Sequence, residues 1–401
     1  MAYFLNYCDR QVVYAIYPVL KSELGFTNTQ LGLTGSIFLW TTGLSSPLAG
    51  KLSDRYSRQA LVLWTLLLWS AVTFLTGLST SPGMLLAGRA LLGLTEAMFI
   101  PVAVSLIGST VPGELRSRAV SVFFTAQLCG VVAGGSLGGC VAERFGWRLA
   151  FFGLGIAGVG FAAPLAVFLR RFPEPPTQAR DGAYRSSFLD LARIPSFISL
   201  CVCFPAFLLL VTILYAWLAN FLHEKFSLGL ASAAFTATAY LQSGTALGLL
   251  GGSALSDRLY RARKQARFWW LAAAMVFGSP WVHLLGHTES LTLAKVAAVG
   301  FGLANGVYVA NLMVAPFDIV PARARTSAIA VLNTIAPLFA GLATLFAGVW
   351  KDRLGIGNLM SLIAAVTLLS GLILLLMARR LFEADYERLR TASKPQPNPI
   401  L

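Results

Sequence analysis

Apolar stretches of about twenty residues, parted by short polar breaks, run through the whole chain. At about 1.5 Å of rise per residue, each can cross the ~30 Å hydrocarbon layer of a bilayer as a helix. The pattern predicts helices near residues 2–20, 29–50, 59–78, 83–111, 118–141 and 148–169, then near 195–220, 229–252, 267–286, 291–317, 327–349 and 358–378. Between the sixth and seventh lies a stretch from Arg170 to Arg193 with Pro173, Pro175, Pro176 and alternating charges, too polar to bury itself. The expected fold is an all-α polytopic membrane protein, with twelve transmembrane helices as two six-helix bundles at 1–169 and 195–379, a linker at 170–194 and a tail at 380–401. The tail is charged and mildly amphipathic, which predicts a surface helix ending in a frayed segment at Pro395, Pro397 and Pro399.

Composition agrees with the pattern. Charged residues make up 12% of the chain and hydrophobic ones 56%, whereas soluble domains are about 25% charged. The formal net charge of +14 would suggest nucleic acid in a soluble protein. Here the basic residues gather in short loops on one side, among them Lys51, Arg55, Arg58, Arg116, Arg118, Arg258, Arg263, Lys264, Arg323 and Arg325. That bias is a topology signal: it puts the linker and both termini in the cytoplasm, as in a bacterial inner membrane protein. No nucleic-acid partner is expected, and a monomer is.

The five cysteines lie in apolar segments without metal-ligand spacing, and there are only three histidines. No metal, cofactor or catalytic constellation is expected, which argues against an enzyme. Asp9 and Arg10 lie inside the first apolar segment, so no cleavable leader is expected there.

Four ionisable side chains inside the apolar segments carry the candidate chemistry. Arg89 and Glu96, seven residues apart, share one face of the fourth helix, and Asp9 and Arg10 sit in the first. A charge at membrane depth costs roughly 2.5–3.5 kcal/mol, so it faces a partner or a wet cavity. Two blander arrangements remain open: Asp9 and Arg10 snorkelling at the interface, and a permanent salt bridge between Arg89 and Glu96. In the second half the polar inventory is uncharged, with Tyr215, Gln242, Asn305, Tyr308, Asn311 and Asn333.

An internal repeat links the halves. Leu52-Ser53-Asp54-Arg55 recurs as Leu255-Ser256-Asp257-Arg258, Pro112 with Arg116 recurs as Pro321 with Arg325, and Val141 with Gly146 recurs as Val349 with Gly355. Parallel repeats of this kind are the build of a twelve-helix carrier. Gly50-Lys51-Leu52-Ser53-Asp54-Arg55-Tyr56-Ser57-Arg58 resembles the cytosolic signature of the major facilitator superfamily, with a second copy around Asp257 and Arg258 in which Ser253 stands where Gly50 aligns. The resemblance implies a gating role for Gly50, Asp54, Arg55, Arg58, Asp257 and Arg258, with Asp54 against the N-terminus of a helix starting near Thr326.

Asn6-Tyr7-Cys8-Asp9-Arg10, Arg89 to Ala97, and Phe145-Gly146-Trp147-Arg148 resemble the anion:cation symporter and spinster branches of that superfamily. The symporter resemblance implies proton carriers at Asp9 and Glu96, an anion contact at Arg10, and polar substrate contacts at Gln127 and Asn333; Arg89 and Tyr215 complete the candidate substrate set. The spinster resemblance implies lysophospholipids or other amphiphiles as cargo on the same positions. The expected function is secondary active transport by alternating access, as proton-coupled symport of a small organic anion, the alternatives being amphiphile transport or drug efflux. A compact pocket with Arg10 free favours the anion, and a long apolar groove with a lateral opening favours the lipid.

Overall fold

The computed structural model describes residues 1–53, 55–111, 113–171, 191–312, 314–321 and 324–392. The described residues are helical nearly throughout. In the first half they form α1 (Ala2–Ala15), α2 (Tyr17–Leu24), α3 (Asn28–Ser53), α4 (Arg58–Thr76), α5 (Pro82–Glu96), α6 (Phe99–Thr110), α7 (Gly113–Phe145) and α8 (Trp147–Arg170). The second half holds α9 (Pro195–Phe226), α10 (Leu230–Ala262), α11 (Ala266–His287), α12 (Leu291–Leu312), a 3-10 turn at Ala315–Asp318, α13 (Arg325–Leu354), α14 (Ile356–Arg380) and α15 (Phe382–Ala392).

Two segments expected to be single helices are broken. The first runs on to Leu24 but stops at Ile16 and restarts with Pro18 in the opening turn of α2, where a missing N–H costs nothing. In the fourth, the break at Ala97 and Met98 precedes Pro101, the third residue of α6. Proline cannot donate to the carbonyl four residues back, so the ladder is interrupted there. The expected tail helix corresponds to α15, while nearly all of the expected linker and the residues after Ala392 lie outside the described residues.

Among the described residues nine helices are long and apolar enough to cross a membrane: α4, α5 with α6, α7, α8, α9, α11, α12 with the 3-10 turn, α13 and α14. The α1–α2 rod carries Asp9 and Arg10, and α3 and α10 are rich in Ser, Thr and Gly. These three rods lie against other helices and make many of the polar contacts of the interior.

Packing is pseudo-symmetric. α1 lies against α7 as α9 lies against α13, α3 against α5 as α10 against α12, and α4 against α8 as α11 against α14. Two seams join the halves, α3 with α13 and α7 with α10. Glycines allow both. A Cβ on Gly134 would meet the Cys8 backbone at 2.5 Å and one on Gly139 would meet Leu230 and Ala231 at 2.9 Å, so one face of α7 receives α1 and another receives α10. Close packing is therefore the use of this glycine run. The repeated Gly146 and Gly355 adopt φ of 88° and 74° in the α7–α8 and α13–α14 connections, a backbone that residues with a Cβ avoid.

Contacts across the halves gather toward the end of the molecule that holds Gly25, Gly146 and Gly355. Ser36 Oγ donates to the Gly341 carbonyl at 2.7 Å, Trp40 Nε1 to Leu338 O at 2.9 Å, and Asn28 Nδ2 to Asp352 Oδ1 at 2.6 Å. The Tyr17 and Trp217 rings meet edge to face at 5.2 Å. One buried core spans both halves, from Val12, Tyr17 and Leu31 through Leu214 and Trp217 to Phe268, Ile319 and Phe382 along the second half. A second, with Leu66, Trp69, Phe99 and Val102, belongs to the first half alone.

Candidate functional site

Asn6, Asp9 and Arg10 lie within about one turn of each other on α1, and α5 carries Arg89 and Glu96. Arg10 Nε donates to Glu96 Oε2 at 2.7 Å; the Glu96 side chain is fully buried and that of Arg10 is 16% exposed. Asp9 is buried, and the charges of Glu96, Arg89 and Arg10 all act on its carboxyl. Arg89, also buried, does not pair with Glu96. Its Nε donates to the Thr34 carbonyl at 3.2 Å, and its guanidinium lies 4.6 Å from the Phe38 ring centre. The Arg10 guanidinium lies 4.9 Å from the same ring, so Phe38 on α3 serves two cations.

This geometry overturns two sequence alternatives. Arg89 and Glu96 are separated by about 10 Å of helix axis, at ~1.5 Å per residue, which leaves room for Arg10 from another helix to take Glu96. Asp9 and Arg10 do not snorkel, because α1 is held against α7 and the pair is sheltered.

The four charges sum to zero when all are ionised. Several buried atoms of this group have no hydrogen-bond partner at ordinary geometry: Asp9 Oδ1, Glu96 Oε1, Arg10 Nη2, both terminal nitrogens of Arg89 and both amide atoms of Asn6. Asn6 lies against Glu96, Thr73 against Asp9 and Tyr14 against Arg89, so the polar side chains of the group face one another.

The remaining candidates make contacts of their own, Gln127 through Tyr3, whose ring meets Tyr7 beside Arg10. Gln127 on α7 accepts from Tyr3 Oη at 3.1 Å, Tyr215 on α9 accepts from Gln242 Nε2 at 3.1 Å, and Asn333 on α13 is exposed. Of the signature, Asp54 lies outside the described residues. Gly50 falls within α3, and Arg55 begins the turn that leaves it, its N–H on Leu52 O at 3.1 Å; Arg58 opens α4. In the second copy Arg258 is exposed and Asp257 faces Arg267 at 3.9 Å. Arg267 also binds Asp318 at 2.8 Å, and Tyr260 donates to Asp318 at 2.9 Å, so this cluster stays within the second half.

Sequence reasoning did not find Thr34 or Phe38. Thr34 and Phe38 are four apart and share a face of α3, but nothing local marks an aromatic as a cation platform. A cavity of about 350 Å³ lies between α1, α7 and α8, lined by Cys8, Val12, Gly134, Leu137, Phe145 and Leu149. It is almost wholly apolar, and Leu137, Phe145 and Leu149 on its rim are exposed.

These features define an integral membrane protein of all-α, pseudo-symmetric build with a buried charged site between its helices. The profile of the Major Facilitator Superfamily matches residues 1–338, and the chain belongs to that family. It is a transport protein with homology to the spinster and anion-transporter branches. The probable sulfoacetate transporter SauU of Cupriavidus necator is 26% identical over 354 residues, covering 82% of this chain and 80% of that protein. Human protein spinster homolog 1 is 30% identical over 235 residues, 54% of this chain and 43% of that one. Among solved structures, a bacterial homolog of the human lysosomal transporter Spinster, inward-facing and unoccupied, superposes with a TM-score of 0.78 at 21% identity, covering 99% of this chain and 97% of that one.

Proposed function

We propose that this chain is a proton-coupled carrier that moves an amphiphile with an anionic headgroup, of the lysophospholipid kind, by alternating access. The reading counts α1 with α2 and α5 with α6 as single spans and includes α3 and α10, which makes twelve spans in two six-helix bundles, 1–169 and 195–379, joined by the linker 170–194. The protein is a monomer in a bacterial inner membrane, with both termini and the tail from 380 in the cytoplasm. The cross-half contacts then lie at the outer face, and the structure is the inward-open state.

The observation that carries the reading is the buried, charge-balanced group of Asp9, Arg10, Arg89 and Glu96. Glu96 competes with an anionic headgroup for Arg10, whose Nε it holds at 2.7 Å. A proton on Glu96 removes the competitor and leaves the group with one excess positive charge, which the headgroup neutralises. Proton and headgroup therefore bind together, and Asp9 and Arg89 set the field in which they do so. Support for a lipid-like cargo comes from the apolar cavity with its lateral rim and from the spinster relatives. Gln127, Tyr215 and Asn333 are assigned contacts to the cargo, and Gly50, Asp54, Arg55, Arg58, Asp257 and Arg258 the cytosolic gate.

A second reading, symport of a small organic anion, is favoured by the relative named as a sulfoacetate transporter, whose match covers most of both chains. Proteoliposomes under an imposed pH gradient decide between them. Driven movement of labelled lysophospholipid without movement of small carboxylates or sulfonates supports the first, the reverse supports the second, and movement of neither under a gradient of either sign rejects both.

A further inference from the structure

Away from the charged group, α11 and α14 meet where their backbones nearly touch: a Cβ on Gly286 would stand 2.8 Å from the Gly357 carbonyl. Two of the three histidines in the chain sit at this junction, four residues apart on one face of α11. His287 lies in the last turn of that helix. The His283 and His287 rings stack with centroids 4.6 Å apart, and both are exposed.

Their Nδ1 atoms converge on one oxygen. His283 Nδ1 is 2.9 Å and His287 Nδ1 3.3 Å from Ser361 Oγ on α14. The Ser361 hydroxyl donates to Gly357 O at 3.1 Å, which turns its oxygen lone pairs toward the rings. Asn358 fixes the tautomer of His287: its Nδ2 donates to Leu354 O at 2.8 Å, so its Oδ1, 3.1 Å from His287 Nε2, can only accept. His287 therefore carries its proton on Nε2, and in the neutral ring Nδ1 is a lone pair. That lone pair lies 3.3 Å from the oxygen that His283 Nδ1 also faces, so an ion held there would meet both rings. An imidazole whose other nitrogen donates to a fixed carbonyl oxygen is how metal-bound histidines are held.

We propose that His283, His287 and Ser361 form a site for a divalent transition-metal ion of the zinc class, with Asn358 orienting His287. The ion sits between the two Nδ1 atoms, which close on it from hydrogen-bonding distance to about 2.0–2.1 Å, and solvent completes the coordination. The nearby Lys225, which reaches Gly286 O at 3.4 Å, is paired with Glu289 at 3.2 Å, so its charge is met locally. Bound metal would pin the C-terminal end of α11 to the first turns of α14.

The test uses the full chain purified in detergent, stripped with a chelator and titrated with Zn²⁺ by calorimetry. One saturable equivalent is expected. His287→Ala and His283→Ala each remove it, His223→Ala keeps it, and Asn358→Leu, which leaves both imidazoles, weakens it about 10- to 100-fold. Unchanged melting of each variant without metal shows that it folds; if an alanine variant does not, His283→Gln and His287→Gln replace it. The proposal is overturned by absence of saturable binding in the wild type or by undiminished binding in the double histidine variant.

Discussion

At the scale of single residues the consequential pair is Arg10 with Glu96. Breaking a buried ion pair from one side costs about 3–5 kcal/mol, most of it the penalty of a charge left unpaired. Arg10 keeps part of its side chain exposed, so Arg10→Ala is expected near the lower end, about 3 kcal/mol. Adding Glu96→Gln should recover part of that loss, and thermal melts of the single and double variants in one detergent measure the difference. Glu96→Gln alone should abolish uptake driven by a pH gradient while leaving exchange of cargo across the membrane; undiminished driven uptake removes Glu96 from the coupling role. Which residues are charged inside the bilayer could be read directly from the chain. Who pairs with whom could not, because Arg10 and Glu96 are 86 residues apart and meet through the placement of α1 beside α5, a fact of tertiary packing.

At the scale of elements, glycines and prolines decide where helices touch and where they stop. Gly146 has φ 88° and ψ 146°, a region occupied essentially by glycine alone, and Gly146→Ala should cost about 1–3 kcal/mol of stability, read as a lowered melting temperature. The repeat that pairs it with Gly355 was visible in the sequence, and the structure gives it a physical reason. Leucine at Gly139 should instead wedge α7 away from the start of α10, seen as greater thiol labelling of a cysteine placed at Ala231. The predicted apolar segments correspond to the helices of the structure. The breaks at Ile16 and at Ala97–Met98 were not foreseen, since Pro18 and Pro101 lie inside unbroken apolar runs and hydropathy is blind to a missing N–H.

At the scale of the whole molecule, one end is tied across the halves by Asn28 with Asp352 and by Ser36 with Gly341. If transport requires these ties to part, a short cleavable bis-thiol linker between Asn28→Cys and Asp352→Cys, in a background lacking the native cysteines, should arrest it, and cleavage should restore it. Transport at full rate with the linker in place would mean that the halves never separate there. The two seams were not legible beforehand: small residues on α3, α7, α10 and α13 announce close contact without naming the partner, and the choice is made by shape across hundreds of residues.

The tail contributes to the start of the second half. Asp385 on α15 accepts the backbone N–H of Ser196, the second residue of α9, at 2.9 Å and across 189 positions of sequence. A carboxylate there answers the positive end of the helix. At about 5–20 residues per second of synthesis, α9 leaves the ribosome roughly 10–40 seconds before the group that finishes its first turn exists. The leading helix of the second half must therefore wait for the rest of that half to be made before its first turn is complete, so its last polar tie forms after all the helices it packs against.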